Sequence, residues 1–197
     1  MNDQDAMVRE PSLASLALVV IVLLALAGFM LATTAPLGNL IGTSSWAFVG
    51  AYHGLAAGLL MIVATIALYL GYRLFIGQIK AFHDLQLLSV VTATISFITI
   101  LFGNWIYIGY REPNSVRAFF LANNPVLHQI FFEFKEFIAL FTFPLAVAAA
   151  YILYRYGAQL LNRPWLKATV AILIAMVFVF FTLAFGLGAA ITKIKPV

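Results

Sequence analysis

The chain has 197 residues, 64% of them hydrophobic and 9% charged, with a mean hydropathy of +1.04. Soluble domains carry roughly 25% charged residues, so a single soluble core of this length has no means of hiding so much apolar surface. The net charge of +4 comes from isolated basic residues, with no Lys/Arg run to neutralise successive phosphates, which argues against nucleic acid; the absence of cysteine removes disulfides, thiolate metal sites, Fe–S clusters and cysteine-attached haem.

The pattern predicts an all-α polytopic membrane bundle of five transmembrane helices in one domain, residues 1–197, with spans at about 13–33, 46–72, 85–110, 126–154 and 168–191. Residues 1–12 are polar and mixed in charge. The first run, Leu13 to Ala32, is 20 residues long, enough for ~30 Å of hydrocarbon at ~1.5 Å per residue. It is too long for the ~7–15-residue core of a signal peptide, and Asp3, Asp5 and Glu10 spoil a basic leader. An uncharged turn with Pro36, Gly38 and Gly42 leads to the second span, where Gly50, Gly54 and Gly58 recur every four residues beside His53. Such a ridge is expected to face a close neighbour, either another span or a flat cofactor.

The loop after Tyr72 carries Arg73, Lys80, His83 and Asp84. On the third span Ser89, Thr92, Ser96, Thr99 and Gly103 share one helical face, suited to packing on neighbours, and Asn104, Trp105 and Tyr107 close it. Ser115 to Ala122 is expected as a short interfacial helix between spans three and four. The fourth span follows Asn124-Pro125, with a kink expected at Pro144. The fifth ends near Gly186 and Gly188, before Lys193 and Lys195. Six basic residues (Arg9, Arg73, Lys80, Arg155, Arg163, Lys167) on one side against four (Arg111, Arg117, Lys193, Lys195) on the other predict an N-in, C-out topology. A bacterial or archaeal plasma membrane is the expected location.

The stretch from His128 to Phe137 sets a histidine, Glu133, Lys135 and Glu136 among Phe131, Phe132, Phe134 and Phe137. Ionisable groups at the mouth of a membrane helix cost free energy unless paired, solvated or used. Counting from the inner anchors, His53 lies 20 residues before Arg73 and Lys135 lies 20 before Arg155, the same height on two parallel helices. Asn104, Tyr107 and His128 fall ~6–10 Å above that height, so His53, Asn104, Tyr107, His128, Glu133, Lys135 and Glu136 converge on the outer half, while His83 belongs to the inner surface.

Three chemistries suit these residues. His53 and His128 are the one histidine pair on the same side, which a bis-histidine haem b would need, with Gly50 and Gly54 giving a flat ring room. His53, His128, Glu133 and Glu136 have the donor types of a non-haem metal ion site. A quinol pocket would use a histidine as hydrogen-bond partner and a glutamate as proton acceptor. The five-helix outline resembles small membrane cytochrome b subunits, the anchors of respiratory complexes, in architecture alone. Those supply four histidines on four helices; this chain has three, one at the inner surface. The expected function is therefore a membrane subunit of an electron-transfer complex that binds haem b or quinol near the outer face, in contact with other membrane subunits. A redox-silent accessory subunit is the alternative, with a transporter or metal-dependent membrane enzyme behind it.

Overall fold

In hydrocarbon every backbone polar group has to be satisfied within its own segment, and for long apolar runs this leaves the helix. The computed structural model describes residues 11–32, 45–78, 80 and 82–196. Their regular structure is helical throughout: α1 (Leu13–Ala32), α2 (Ser45–Phe75), α3 (Phe82–Tyr110), α4 (Val116–Asn123), a π-helical segment (Leu127–Phe132) running into α5 (Glu133–Tyr156), a 3-10 segment (Gly157–Asn162) and α6 (Pro164–Ile194). The polar N terminus and the turn with Pro36, Gly38 and Gly42 lie outside the described residues.

Four stretches, Trp46–Phe75, Phe82–Tyr110, Leu127–Asn162 and Pro164–Ile194, are long and apolar enough to cross a membrane. Leu13–Phe29 of α1 is a shorter apolar helix. Local chemistry sets the ends. Ser12 caps α1, its hydroxyl accepting the Ser15 N–H at 3.2 Å. Gly77 (φ +90°) ends α2 and Gly157 (φ +49°) ends α5, in backbone conformations that most side chains avoid. Pro164 starts α6 at a position where no N–H is missed.

Each of α2, α3, α5 and α6 packs on the next in the chain, and α6 returns to α2, so the four form a closed square of neighbours. All four contacts are antiparallel. Between α3 and α5, Tyr110 meets His128, Ser96 meets Thr142 and Gln86 meets the Leu153 carbonyl. Between α2 and α3, His53 reaches Thr99 and Trp46 reaches Gly109. Lys135 lies on Gly188 across α5 and α6, and Gly71 on Ile174 across α2 and α6. α1 sits outside the square against α2 and α3, tied down where the Ser12 N–H donates to Asp84 Oδ1 at 2.7 Å.

Lipid is as apolar as leucine, so helix association in it rests on close packing and interhelical hydrogen bonds. The centre of the square is built for that from Ala56, Leu60, Val63, Leu85, Leu88, Ala149, Leu153 and Val170, all nearly inaccessible. Outside it lies a belt of exposed Val90, Phe97, Leu101, Ile108, Phe137, Leu140, Phe141, Tyr151, Ile172 and Val179. Water would penalise that much continuous apolar surface; a bilayer covers it. The hydroxyl face of α3 packs inward as expected: Ser89, Thr92, Ser96 and Thr99 are buried, and Ser96 hydrogen-bonds Thr142 of α5 at 2.6 Å.

The glycine ridge of α2 differs from expectation. A Cβ added at Gly50, Gly54 or Gly58 would meet nothing within 4 Å among the described residues. The ridge belongs to a face that continues through exposed Ile62, Thr65 and Tyr69, away from the square. Close approach happens at other glycines, above all Gly109, where an added Cβ would stand 2.6 Å from the Trp46 indole. Pro144 sits inside α5, and an irregular π-helical segment leads into that helix.

Candidate functional site

The π-helical segment and the start of α5 reverse the usual amphipathic pattern. Phe131, Phe134 and Phe137 are exposed on the lipid side, whereas His128 and Phe132 are buried and Lys135 and Glu136 half-buried on the inner side. A stem standing in water would turn its charges outward. Phenylalanine out with Lys135 and Glu136 in is the arrangement of a helix that keeps those two charges off its apolar face, while Glu133 is turned outward.

The inner side carries two polar groups at different heights. The upper one is a cap. His128, 5% exposed, is hydrogen-bonded through Nδ1 to the Tyr110 hydroxyl at 2.9 Å, and its Nε2 accepts the Arg117 Nε–H at 3.3 Å. Acceptance at Nε2 leaves the ring proton of the neutral imidazole on Nδ1, so Nδ1–H donates to the Tyr110 oxygen. Glu133 approaches Nε2 only to 3.9 Å and is half exposed. Tyr110 stacks on Phe132 with centroids 4.2 Å apart, and Tyr107 stacks on both. The Arg111 guanidinium bonds the Tyr107 hydroxyl and lies 4.3 Å over its ring. Arg117 comes from α4, which is held to the cluster by buried Val116 and Phe120.

The lower group is organised by two glycines. His53 Nδ1 is 2.9 Å from the Thr99 carbonyl, so Nδ1 carries the proton and donates it. The ring can lie there because position 103 has no side chain: a Cβ on Gly103 would stand 3.1 Å from His53 Cε1. Nε2 is left with its lone pair and no hydrogen-bond partner among the described residues, and it is not sealed from its surroundings, since no fully buried polar side-chain atom lacks a partner. A backbone carbonyl holding one imidazole nitrogen fixes the tautomer and aims the other.

Lys135 is placed by the matching device. Its Cε lies 3.6 Å from where a Gly188 Cβ would be, and its Nζ sits 5.1 Å from the Phe132 centroid in a cation–π contact. The pairs Tyr110–His128 and Ser96–Thr142 bracket α3 and α5 so that Gly103 falls level with Lys135. His53 of α2, Gly103 of α3, Lys135 of α5 and Gly188 of α6 therefore form one layer of the square. The imidazole and the ammonium occupy one diagonal and the glycines the other. The Lys135 charge acts on His53, and that of Glu136 on Lys135. Yet among the described residues no carboxylate lies within 4 Å of Nζ, the single ion pair being His128–Glu133. An ammonium taken from water without an acceptor is costly.

The residues singled out in the sequence thus divide. His53 and Lys135 come together; Glu136 lies between that layer and the cap, interacting with Lys135 and with Glu133 and Arg111; His128, Glu133 and Tyr107 belong to the cap; Asn104 is exposed, as are Gly54 and, in part, Gly50. Among the described residues no group of three or more His, Asp or Glu is arranged to hold a metal ion, so the set His53, His128, Glu133, Glu136 is not assembled. A bis-histidine haem b fits poorly. His128 has both ring nitrogens engaged, and by the same bracketing it stands seven residues, ~10 Å, beyond the Lys135 layer. Tyr110, Arg117, Gly103 and Gly188 were not legible as partners, because each is ordinary in its own helix and matters through what lies opposite. Comparison with protein-family models, curated proteins and solved structures finds no match.

Proposed function

We propose that the chain is a membrane subunit of an electron-transfer system that binds a quinol or quinone in the layer of His53 and Lys135. The observation that carries this reading is the pair of opposite hydrogen-bonding capacities left over in one glycine-flanked layer. His53 Nε2 offers a lone pair to a hydroxyl, and Lys135 Nζ offers N–H donors to a carbonyl or phenolic oxygen. A quinol, flat, lipid-soluble and ringed by two oxygens, has use for both. Gly103 and Gly188 seat the two side chains against backbone, and Phe132 supplies an aromatic wall. Glu136, half-buried and next to Lys135 in sequence, is a carboxylate that could receive a proton from Lys135's side of the layer. A buried-site donor set of this kind orients a ligand by its oxygens and leaves its apolar tail to the lipid.

A titration of the purified protein in detergent with decylubiquinol and with its dimethyl ether tests the reading. The quinol is expected to bind and the ether, which has no hydroxyl to donate, to bind far less. Equal binding of the two would mean that His53 and Lys135 do not recognise the oxygens, and the reading would fall.

The same proposal includes five spans, with α1 as the first, the N terminus in the cytoplasm, a bacterial or archaeal plasma membrane, and neighbouring subunits against the exposed faces. Support comes from the length of α1 and from the basic residues at the Arg73–Asp84 and Arg155–Lys167 ends. Reporter fusions at residue 12, in the loop at 157–163 and at residue 196 check it. The first two are expected on one side and the third on the other. Residue 12 on the side opposite to the 157–163 loop would remove α1 from the spans.

A further inference from the structure

We propose that His128 is an acid-released latch for α4: the neutral imidazole holds Arg117, and protonation hands the ring to Glu133 and loosens α4. In the structure His128 Nε2 accepts the Arg117 Nε–H at 3.3 Å, while Glu133 Oε1 stands 3.9 Å from the same nitrogen, beyond hydrogen-bond reach. Only a neutral ring can accept at that atom. A proton on Nε2 turns it into a donor facing a donor, beside a guanidinium that never gives up its charge, and the Glu133 carboxylate is the acceptor at hand. Nδ1 keeps its proton and its bond to Tyr110 in both states. The ring therefore stays seated on α3 and changes partner at one atom alone.

The π-helical segment is what brings both partners to one nitrogen. In an α-helix, residues five apart point ~140° away from each other, which would carry Glu133 off the His128 face. In the wider turn the Glu133 N–H donates to the His128 carbonyl, and residue i+5 returns to the side of residue i. Glu133 is half exposed and closes the remaining gap by a change of rotamer; Arg117 is exposed and swings out from the ring. Among the described residues the Arg117 bond is the one side-chain hydrogen bond from α4 to another helix. What else holds α4 is the burial of Val116 and Phe120 and the Lys195 ammonium 5.7 Å over the Phe119 ring. Just ahead of it, the Ser115 hydroxyl donates to the Tyr110 carbonyl and keeps the start of α4 in place.

The charges around the ring set the direction. α3 brings Arg111 and the Tyr107 and Tyr110 phenols, α4 brings Arg117, and α5 brings Glu133, with Lys135 and Glu136 just beyond it; α6 joins the cluster through Ile191 and ends in exposed Lys193 and Lys195. With α4 docked, two guanidiniums and one carboxylate act on the ring; with Arg117 gone, one of each remains. The docked form needs a neutral His128 and the loosened form does not, so the loosened form binds up to one proton more. Falling pH therefore favours release, by at most about tenfold per pH unit. The His53–Lys135 layer lies ~10 Å below, behind Phe132, on which Tyr110 stacks. Loosening α4 thins the cover over that layer. This consequence alone rests on the proposed quinol reading, because the movement of α4 is observed without a ligand.

The chain has no cysteine, so spin labels at Ala118→Cys on α4 and Ala190→Cys on α6, both exposed positions, report the docking of α4 in the full-length protein in liposomes. Distances are measured at about pH 8 and about pH 5, on either side of the ordinary imidazole value of ~6.5. One narrow distribution is expected at the higher value, and at the lower a longer component whose share has grown roughly tenfold. In His128→Gln the amide oxygen accepts from Arg117 at any pH, and the distribution is expected to be the same at both. In Glu133→Gln, which alters only a half-exposed side chain, the acid-induced share is expected to fall severalfold. A labelled wild type whose distances ignore pH overturns the latch. So does an acid response of full size in either His128→Gln or Glu133→Gln.

Discussion

Lys135→Met is expected to weaken decylubiquinol binding by roughly 10- to 100-fold while leaving the fold as stable as before, or more so. A hydrogen bond from a charged donor is worth about 1.5–3 kcal/mol, and each 1.4 kcal/mol is about tenfold in affinity. Methionine keeps the length that lies against Gly188 and Phe132 but removes an ammonium with no carboxylate within 4 Å among the described residues. Replacing an uncompensated buried charge with an apolar group relieves its desolvation. Binding and stability therefore move in opposite directions, which a merely structural lysine would not produce. His53→Ala should also lose affinity, whereas His128→Ala should lose stability through Tyr110 and Arg117 and leave affinity within a few-fold. Titration and thermal melts on the three variants read all of this. A drop in affinity for His128→Ala as large as for His53→Ala would move the site to the cap.

Gly109→Ala is expected to destabilise the bundle by about 1–3 kcal/mol, the usual cost of overfilling a packed contact. The added methyl would stand 2.6 Å from the stiff Trp46 indole, so α2 and α3 would have to part at that end. Gly54→Leu, in contrast, meets open space among the described residues and should leave the thermal midpoint of the isolated protein near wild type. Should Gly54→Leu melt early as well, something outside the described residues, a second copy or another subunit, packs on that ridge.

Much of the architecture was legible because the bilayer imposes one length scale. Counting residues back from Arg73 and Arg155 set His53 and Lys135 at one height, and the antiparallel pairing of the square sets them in one layer. The count failed to separate His128 from that layer's chemistry, because nothing in the local pattern says that α4 folds Arg117 back onto its ring. Glycine spacing likewise predicted a close neighbour on the ridge of Gly50, Gly54 and Gly58, and among the described residues none is there. The contacts fall at Gly71, Gly103, Gly109 and Gly188, four glycines with no shared period. What decides their role is the side chain across the gap, and that is a property of the pairing rather than of either helix.

The closing contact of the square is also the last to be synthesised. α2, α3 and α5 can each dock on the preceding helix as they leave the ribosome, but Lys135 has its outer flank covered only when Gly188 of α6 arrives. Until then one flank of its ammonium is uncovered, and a charge turned towards lipid is disfavoured. α5 is then expected to sit with Lys135 drawn towards the headgroups until α6 packs on it. A nascent chain stopped before residue 164 would keep that end of α5 within reach of aqueous reagents, and the complete chain would not. The charge proposed to serve the site would then also set the order in which the bundle closes.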